Sequence, residues 1–196
     1  MGALDLSITL HNIGKYLQKY FYTFLKVFMV FGILLAPPYG DIMKVETSGA
    51  SWRTAKADGG NDEGVLASHI MAEHDRAAMD KYKRLIMKVA KRNEVDPAVI
   101  CGIISRESRA GTGLDKHGRG DNGKAFGLMQ VAPSGGGHTP KGEWNSEEHL
   151  QQGGIAAYNK GDEVEVDTHT TGVDYSNDVV ARAQWFYNHG YRETSK

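Results

Sequence analysis

Cysteine is almost missing from this 196-residue chain: Cys101 stands alone. No intramolecular disulfide and no thiolate metal site can therefore form, which excludes a small scaffold held together by cross-links. An excess of charge of one sign is missing too. Lys and Arg number 23 against 24 Asp and Glu, a formal net charge of -1, so nothing holds nucleic acid by bulk electrostatics. The longest uninterrupted apolar run, VFMVFGILLA from Val27 to Ala36, is ten residues long, against about 20 for a helix that crosses a bilayer. The eight histidines are scattered, with neither H-E-x-x-H nor other ligand spacing, so neither a metal nor another cofactor is expected. No internal repeat is visible. Wholesale disorder is excluded in turn, because 40% of the residues are hydrophobic. The length suits one domain with a sizeable core, alone or with a tail.

Lys15, Lys19 and Lys26 precede the apolar run and Pro37 follows it. Ten apolar residues behind a basic leader fit the h-region of a secretory signal or a signal-anchor. The long leader and the want of an A-x-A cleavage site fit an alternative N-terminal extension instead. Residues 1–45 are therefore set apart as an extension and 46–196 as the folded domain. The expected location is extracellular, with membrane-anchored and cytoplasmic as alternatives. A membrane is a partner only if the apolar segment is retained, and a monomer is expected.

The polar, Gly-rich stretch 46–64 reads as a linker or an irregular arm. In DRAAMDKYKRLIMKVAKR, Met79, Tyr82, Ile86 and Val89 recur at helical spacing between charges, which predicts one amphipathic helix over 75–92. VDP then punctuates. Asp96 is a good N-cap and Pro97 a good first-turn residue for the next helix. GTGLDKHGRGDNGKA is turn chemistry, and FGLMQV reads as a short strand or buried segment. WNSEEHL starts a helix with Asn145 or Ser146 as cap, and GGIAAYN is a short helix of small residues. EVEVDTHTT is an exposed strand or loop, and DYSNDVVARAQWFYNHG is a last helix that stops at Gly190. The sum is an α+β chain, predominantly helical.

Glu107 is out of place in that pattern. It follows Ile100, Ile103 and Ile104 at i+7, i+4 and i+3, on the face that ought to meet the core. A carboxylate drawn out of water there keeps its proton to higher pH and can give it to a leaving group. The other reading is that Glu107, at a helix end, bends into solvent or pairs with Arg106 or Arg109. Downstream, Asp121 sits among glycines in GRGDNGKAFGLMQV. An acid on a helix with a second carboxylate on a nearby loop is the pair that hydrolyses a glycosidic bond, although Asp in a Gly-rich loop is also ordinary turn chemistry.

Taken together and in order, DPAVICGIISRESRAG, GRGDNGKAFGLMQV, GGHTP, GGIAAYN and DYSNDVVARAQW resemble goose-type lysozyme, from about TSGASWRTA to Tyr191. Glu-Ser followed by Gly-Leu-Met-Gln alone would be shared with lytic transglycosylases. The resemblance implies a lysozyme-like fold with a small β element beside a cleft for bacterial peptidoglycan. It implies hydrolysis of the β-1,4 bond between N-acetylmuramic acid and N-acetylglucosamine, in antibacterial defence. It places Glu107 as general acid and Asp121 as one of two aspartates that position the attacking water. It places Gln130, His138, Tyr158, Asn159 and Tyr175 along the sugar subsites, though the tyrosines could simply pack and His138 could cap a turn.

The chain also departs from the family. The second water-positioning aspartate should follow GLMQV and is Ala132 here. A long helix is absent between EEHL and GGIAAYN, and the loop after AAYN is shortened. Trp52 and Glu94 stand at cysteine positions of disulfide-bearing members. A shortened or alternatively spliced member is expected, with an inactive peptidoglycan binder or a transglycosylase as the competing functions. Two other motifs are set aside. GRGDNGKA falls short of a phosphate-binding loop, since Ala125 has no hydroxyl for magnesium and no strand precedes it, and RGD at Arg119–Asp121 is short enough to arise by chance.

Overall fold

The computed structural model describes residues 39–132, 139–159 and 173–193, with the backbone alone over 154–159. The apolar N-terminal run, His138 and EVEVDTHTT lie outside the described residues. The described part is mostly helical with one two-stranded antiparallel sheet, as the sequence implied.

The organising element is the helix that begins at VDP. Asp96 caps it by accepting from the Ala98 amide at 2.8 Å, and Pro97 takes the first position, where no N–H is needed. The helix, α4 (Pro97–Ser108), follows α1 (Trp52–Ala57), α2 (Gly64–Met79) and α3 (Lys83–Asn93). It ends where Arg109 and Ala110 turn to positive φ (53° and 52°). Ala98, Ile100, Cys101, Ile103 and Ile104 are all buried, so α4 is covered on more than one face. Its main neighbour is α6 (Tyr175–Asn188), which buries Val179, Ala181, Ala183, Trp185 and Phe186. Gly102 makes the close approach possible. A methyl group there would lie 2.5 Å from the Val179 carbonyl oxygen and 3.1 Å from the Ala183 side chain.

Three expectations need correction. The single helix over 75–92 is two: α2 ends at Met79, a 3-10 turn takes Asp80–Tyr82, and α3 begins at Lys83. Apolar spacing runs smoothly through that turn, so periodicity alone misses it. The break lets α2 pack on α6 while α3 packs on α4, and Asp80 in the turn accepts from the Tyr191 hydroxyl at 2.6 Å. Residues 46–64 are no linker. Ser51 caps α1, Ala50 and Gly64 form a bridge, and Ala50, Ala55 and Ala67 bury one another. Finally, EEHL and GGIAAYN form one continuous helix, α5 (Glu147–Asn159). Of its two cap candidates Ser146 serves, its hydroxyl accepting from the His149 amide at 3.2 Å.

The sheet is small. β1 (Arg119–Gly120) pairs antiparallel with β2 (Ala125–Phe126), and Phe126 bridges Val131. FGLMQV thus supplies a strand and then buries Leu128 and Met129. Below it lies His149, fully buried on α5. The Met129 amide donates to its Nε2 at 3.1 Å, the Phe126 ring meets its edge, and Gly127 passes so close that a methyl group would touch the ring at 2.2 Å. An imidazole that accepts there must be neutral, and burial pushes its pKa down to about 4.

Between the ordinary value of about 6.5 and the folded value of about 4, only the unfolded chain takes up the proton. Stability contributed by neutral His149 is therefore complete above that window and falls as pH drops through it, by up to about 3 kcal/mol. Denaturant titrations across this range should show the loss, and His149→Gln should flatten that part of the slope. Equal slopes in the two proteins would contradict the assignment.

Candidate active site

Glu107 lies in the last turn of α4, half-buried. The first residue of α6, Tyr175, is also half-buried, and its hydroxyl donates to Glu107 Oε1 at 2.5 Å. The carboxyl is thus turned to a neighbouring helix and not out into solvent. Burial raises its pKa above the ordinary carboxylate value, against the opposing pull of the Tyr175 hydrogen bond and the Arg106 charge. Burial and the adjacent carboxylate likewise push the Tyr175 hydroxyl well up, so tyrosine is the donor in this pair.

The two arginines offered by the sequence as partners are engaged by aspartates. Arg106 Nε faces Asp178 Oδ2 at 3.0 Å and its Nη2 lies 3.8 Å from Asp174. Arg109 Nε donates to Asp75 at 2.9 Å. Between them sits Arg182, with 0% of its side chain exposed. It donates from Nε to Asp178 at 2.8 Å, from Nη2 to Asp58 at 2.8 Å, and from Nη1 to the Ser105 carbonyl at 3.2 Å. Ser105 in turn donates to Asp75 at 2.7 Å, and Ser68 to Asp178 at 2.7 Å. Asp174 accepts from the Ser51 amide and, at 2.9 Å, from the Thr54 hydroxyl. A buried net of arginine and aspartate therefore joins α1, α2, α4 and α6 around the helix that carries Glu107. Sequence reading missed it. The available signal was Asp178 and Arg182 one turn apart, in register with the apolar face of DVVARAQWF.

Asp121 and Gln130 belong to the hairpin. Asp121 is exposed and follows β1, with φ of 44° and Asn122 after it at 54°. Two consecutive non-glycine residues in the left-handed region carry a cost that surrounding structure must offset. Gln130, also left-handed at 45°, donates from its amide to the Gly127 carbonyl at 2.8 Å. Its Oε1 lies where a methyl group on Gly120 would be only 2.1 Å away, so Gln130 rests on the residue just before Asp121. The hairpin is anchored to α4 by the Ser108 hydroxyl, which donates to the Leu128 carbonyl at 2.9 Å. Trp144 closes the other side, its carbonyl accepting from the Leu128 amide at 2.9 Å.

Of the residues singled out from sequence, Glu107 and Tyr175 are joined directly, and Asp121 and Gln130 meet through Gly120. Tyr158 and Asn159 close α5, and their side chains lie outside the described residues, as does His138. Ala132 is exposed, next to the Val131 that bridges Phe126. Nothing at that position accepts a proton.

Known proteins resemble this chain in sequence. The family model for lysozyme g matches residues 39–154 and 152–190. The chain is 48% identical to the lysozyme g of Takifugu rubripes, covering 76% of this chain and 96% of that protein. It is 47% identical to the lysozyme G of Dromaius novaehollandiae, with 78% and 89% covered, and 44% identical to that of Gallus gallus, with 78% and 86% covered. The Takifugu alignment runs over 184 positions yet takes up 76% of 196 residues, about 149, so about 35 positions have no counterpart here. The two family matches meet at 152–154, inside α5. EEHL lies within the first match and GGIAAYN within the second.

Tyr175→Phe removes the hydroxyl that stabilises the charged carboxyl and leaves the ring. The Glu107 carboxyl, followed by carbon-13 NMR, should then titrate at higher pH than in the parent. An unchanged midpoint would mean that the hydrogen bond does not form in solution.

Proposed function

The chain belongs to the lysozyme g family, and from that premise we propose that Glu107 is the general acid of its glycoside hydrolysis, with Asp121 positioning water. One observation carries this reading: a half-buried carboxyl on the central helix holds its proton above the ordinary range while a tyrosine fixes one of its oxygens. The reaction of the family is cleavage of the β-1,4 bond between N-acetylmuramic acid and N-acetylglucosamine in bacterial peptidoglycan. The proton passes from Glu107 to the glycosidic oxygen as the bond to the anomeric carbon breaks. A water oxygen then bonds to that carbon and gives its proton to a carboxylate. Asp121 is suited to receive it, being exposed and held on a strained turn beside Gln130.

Gln130, His138, Tyr158, Asn159 and Tyr175 line the sugar subsites on this reading, and the enzyme works as a monomer outside the cell, with the apolar N-terminal segment directing it there. Ala132 bears on whether water takes part. Where a second carboxylate would help orient water, this chain offers a methyl group. A slow hydrolase, a transglycosylase and a binder without activity are then separated by their products on purified cell walls. Hydrolysis leaves reducing-end muramic acid, transglycosylation leaves 1,6-anhydromuramic acid, and a binder leaves neither.

Glu107→Gln keeps the shape of the side chain and removes the transferable proton. Lysis should fall by about 10²–10⁴-fold while binding to walls persists. Asp121→Asn should cost a comparable factor, and Ala132→Asp should raise the yield of reducing-end muramic acid. Lysis by Glu107→Gln at the parental rate would remove Glu107 from the chemistry.

A further inference from the structure

The residue beside the acid, Arg106, is held in an arrangement that a surface arginine would not need. Its side chain is 16% exposed. Nε faces Asp178 Oδ2 at 3.0 Å, Nη2 lies 3.8 Å from Asp174 Oδ1, and the same nitrogen reaches the Thr54 hydroxyl at 3.5 Å. The guanidinium carbon stands 5.8 Å from the centroid of the Tyr175 ring, within the range of a cation–π contact. Tyr175 is the residue whose hydroxyl donates to Glu107. Both aspartates sit on the segment that delivers this tyrosine: Asp174 immediately before it and Asp178 one turn further along α6.

We infer that Arg106 is a positioning residue for the acid, locking the start of α6 to α4 so that the Tyr175 ring lies under its guanidinium and the tyrosine hydroxyl meets Glu107. The inference rests on the general-acid reading of Glu107 and adds a second residue to it. Arg106 acts through Tyr175 and through its own charge, and touches no substrate. A planar, permanently charged group suits this, because it stands over the ring while its nitrogens lie at ion-pair distance from two carboxylates. The ionisable groups acting on Glu107 are Tyr175 from α6 and Arg106 from its own helix, with Asp178 also acting on the tyrosine. Both actions of Arg106 favour the charged form of Glu107. Arg106 therefore limits how far burial lifts the acid, and so sets the pH above which the proton is lost and lysis declines.

The test compares Arg106→Gln and Arg106→Lys with the parent by carbon-13 NMR of the Glu107 carboxyl and by the pH dependence of wall lysis. In folded Arg106→Gln, the carboxyl should titrate at higher pH, the alkaline limb of lysis should move with it, and kcat should fall about 10–100-fold through misplacement of the acid. Arg106→Lys restores charge without the planar group. It should return the carboxyl toward the parental midpoint yet leave kcat low with KM unchanged. A folded Arg106→Gln with the parental midpoint overturns the inference. If Arg106→Gln does not fold, Arg106→Lys decides alone: a lowered kcat at constant KM supports the role, and parental kcat overturns it. Failure of the general-acid reading looks different, since Glu107→Gln would then lyse walls normally while the NMR comparison kept its meaning.

Discussion

The pair made by Arg182 and Asp178 is the constraint on which the rest of this molecule depends. A guanidinium with no exposure is costly to desolvate, and its attraction to one carboxylate offsets that cost only when the remaining N–H groups are also bound. Here Asp58 takes one, and the Ser105 carbonyl and hydroxyl take another at 3.2 and 3.1 Å. Each of those partners comes from a different part of the chain. Satisfying one buried cation therefore fixes the arm after α1, the middle of α4 and the inner face of α6 in a single geometry. A hydrophobic residue could fill the same space without dictating where the neighbours must stand. Breaking a buried pair such as Arg182–Asp178 by removing one partner typically costs about 3–5 kcal/mol.

The site is built on that frame and borrows its rigidity. Glu107 is two residues from Ser105 along α4, and Tyr175 is three residues before Asp178 on α6. Neither needs to be held by its own loop. The hairpin, in contrast, is hung from α4 by Ser108 and carries Asp121 on consecutive left-handed residues at its exposed tip. One carboxylate is thus sheltered and fixed by helices, while the other is solvated on a turn. Burial raises the pKa of the sheltered one, while the other stays open to the solvent from which a water must come.

How much of this was legible in the chain varies with the kind of signal. The start of α4 could be read from Asp96 and Pro97, because capping chemistry is local. The position of Glu107 on an apolar face could be read because helical period is local too. The division of 75–92 into two helices could not, since the apolar spacing continues through Asp80–Tyr82 and only the packing of α2 and α3 on different partners reveals the turn. The arm at 46–64 looked like a linker by composition, yet its small alanines are what let it lie flat on α2. The arginine and aspartate net was the largest omission. Charged side chains count as solvent-facing in any pattern of apolar residues, and only their distant partners make them core. The joint within EEHLQQGGIAAYN was noticed as a missing segment, but its outcome, one unbroken helix, depends on how the two ends meet.

That joint sets a rule of rotational phase. An α-helix turns by about 100° per residue, so two helical segments fused end to end keep their faces aligned only for certain lengths of the seam. In α5, His149 and Gly153 are four apart and so lie on one side. His149 accepts from the Met129 amide, and Gly153 passes Met129 so closely that a methyl group would come within 2.6 Å of its side chain. The seam therefore preserves a single line of contact across the place where the two family matches meet. One residue more or fewer at the junction would swing the backbone beyond it by about a quarter turn or more. At such a junction, the number of residues matters less than the angle at which the two segments meet.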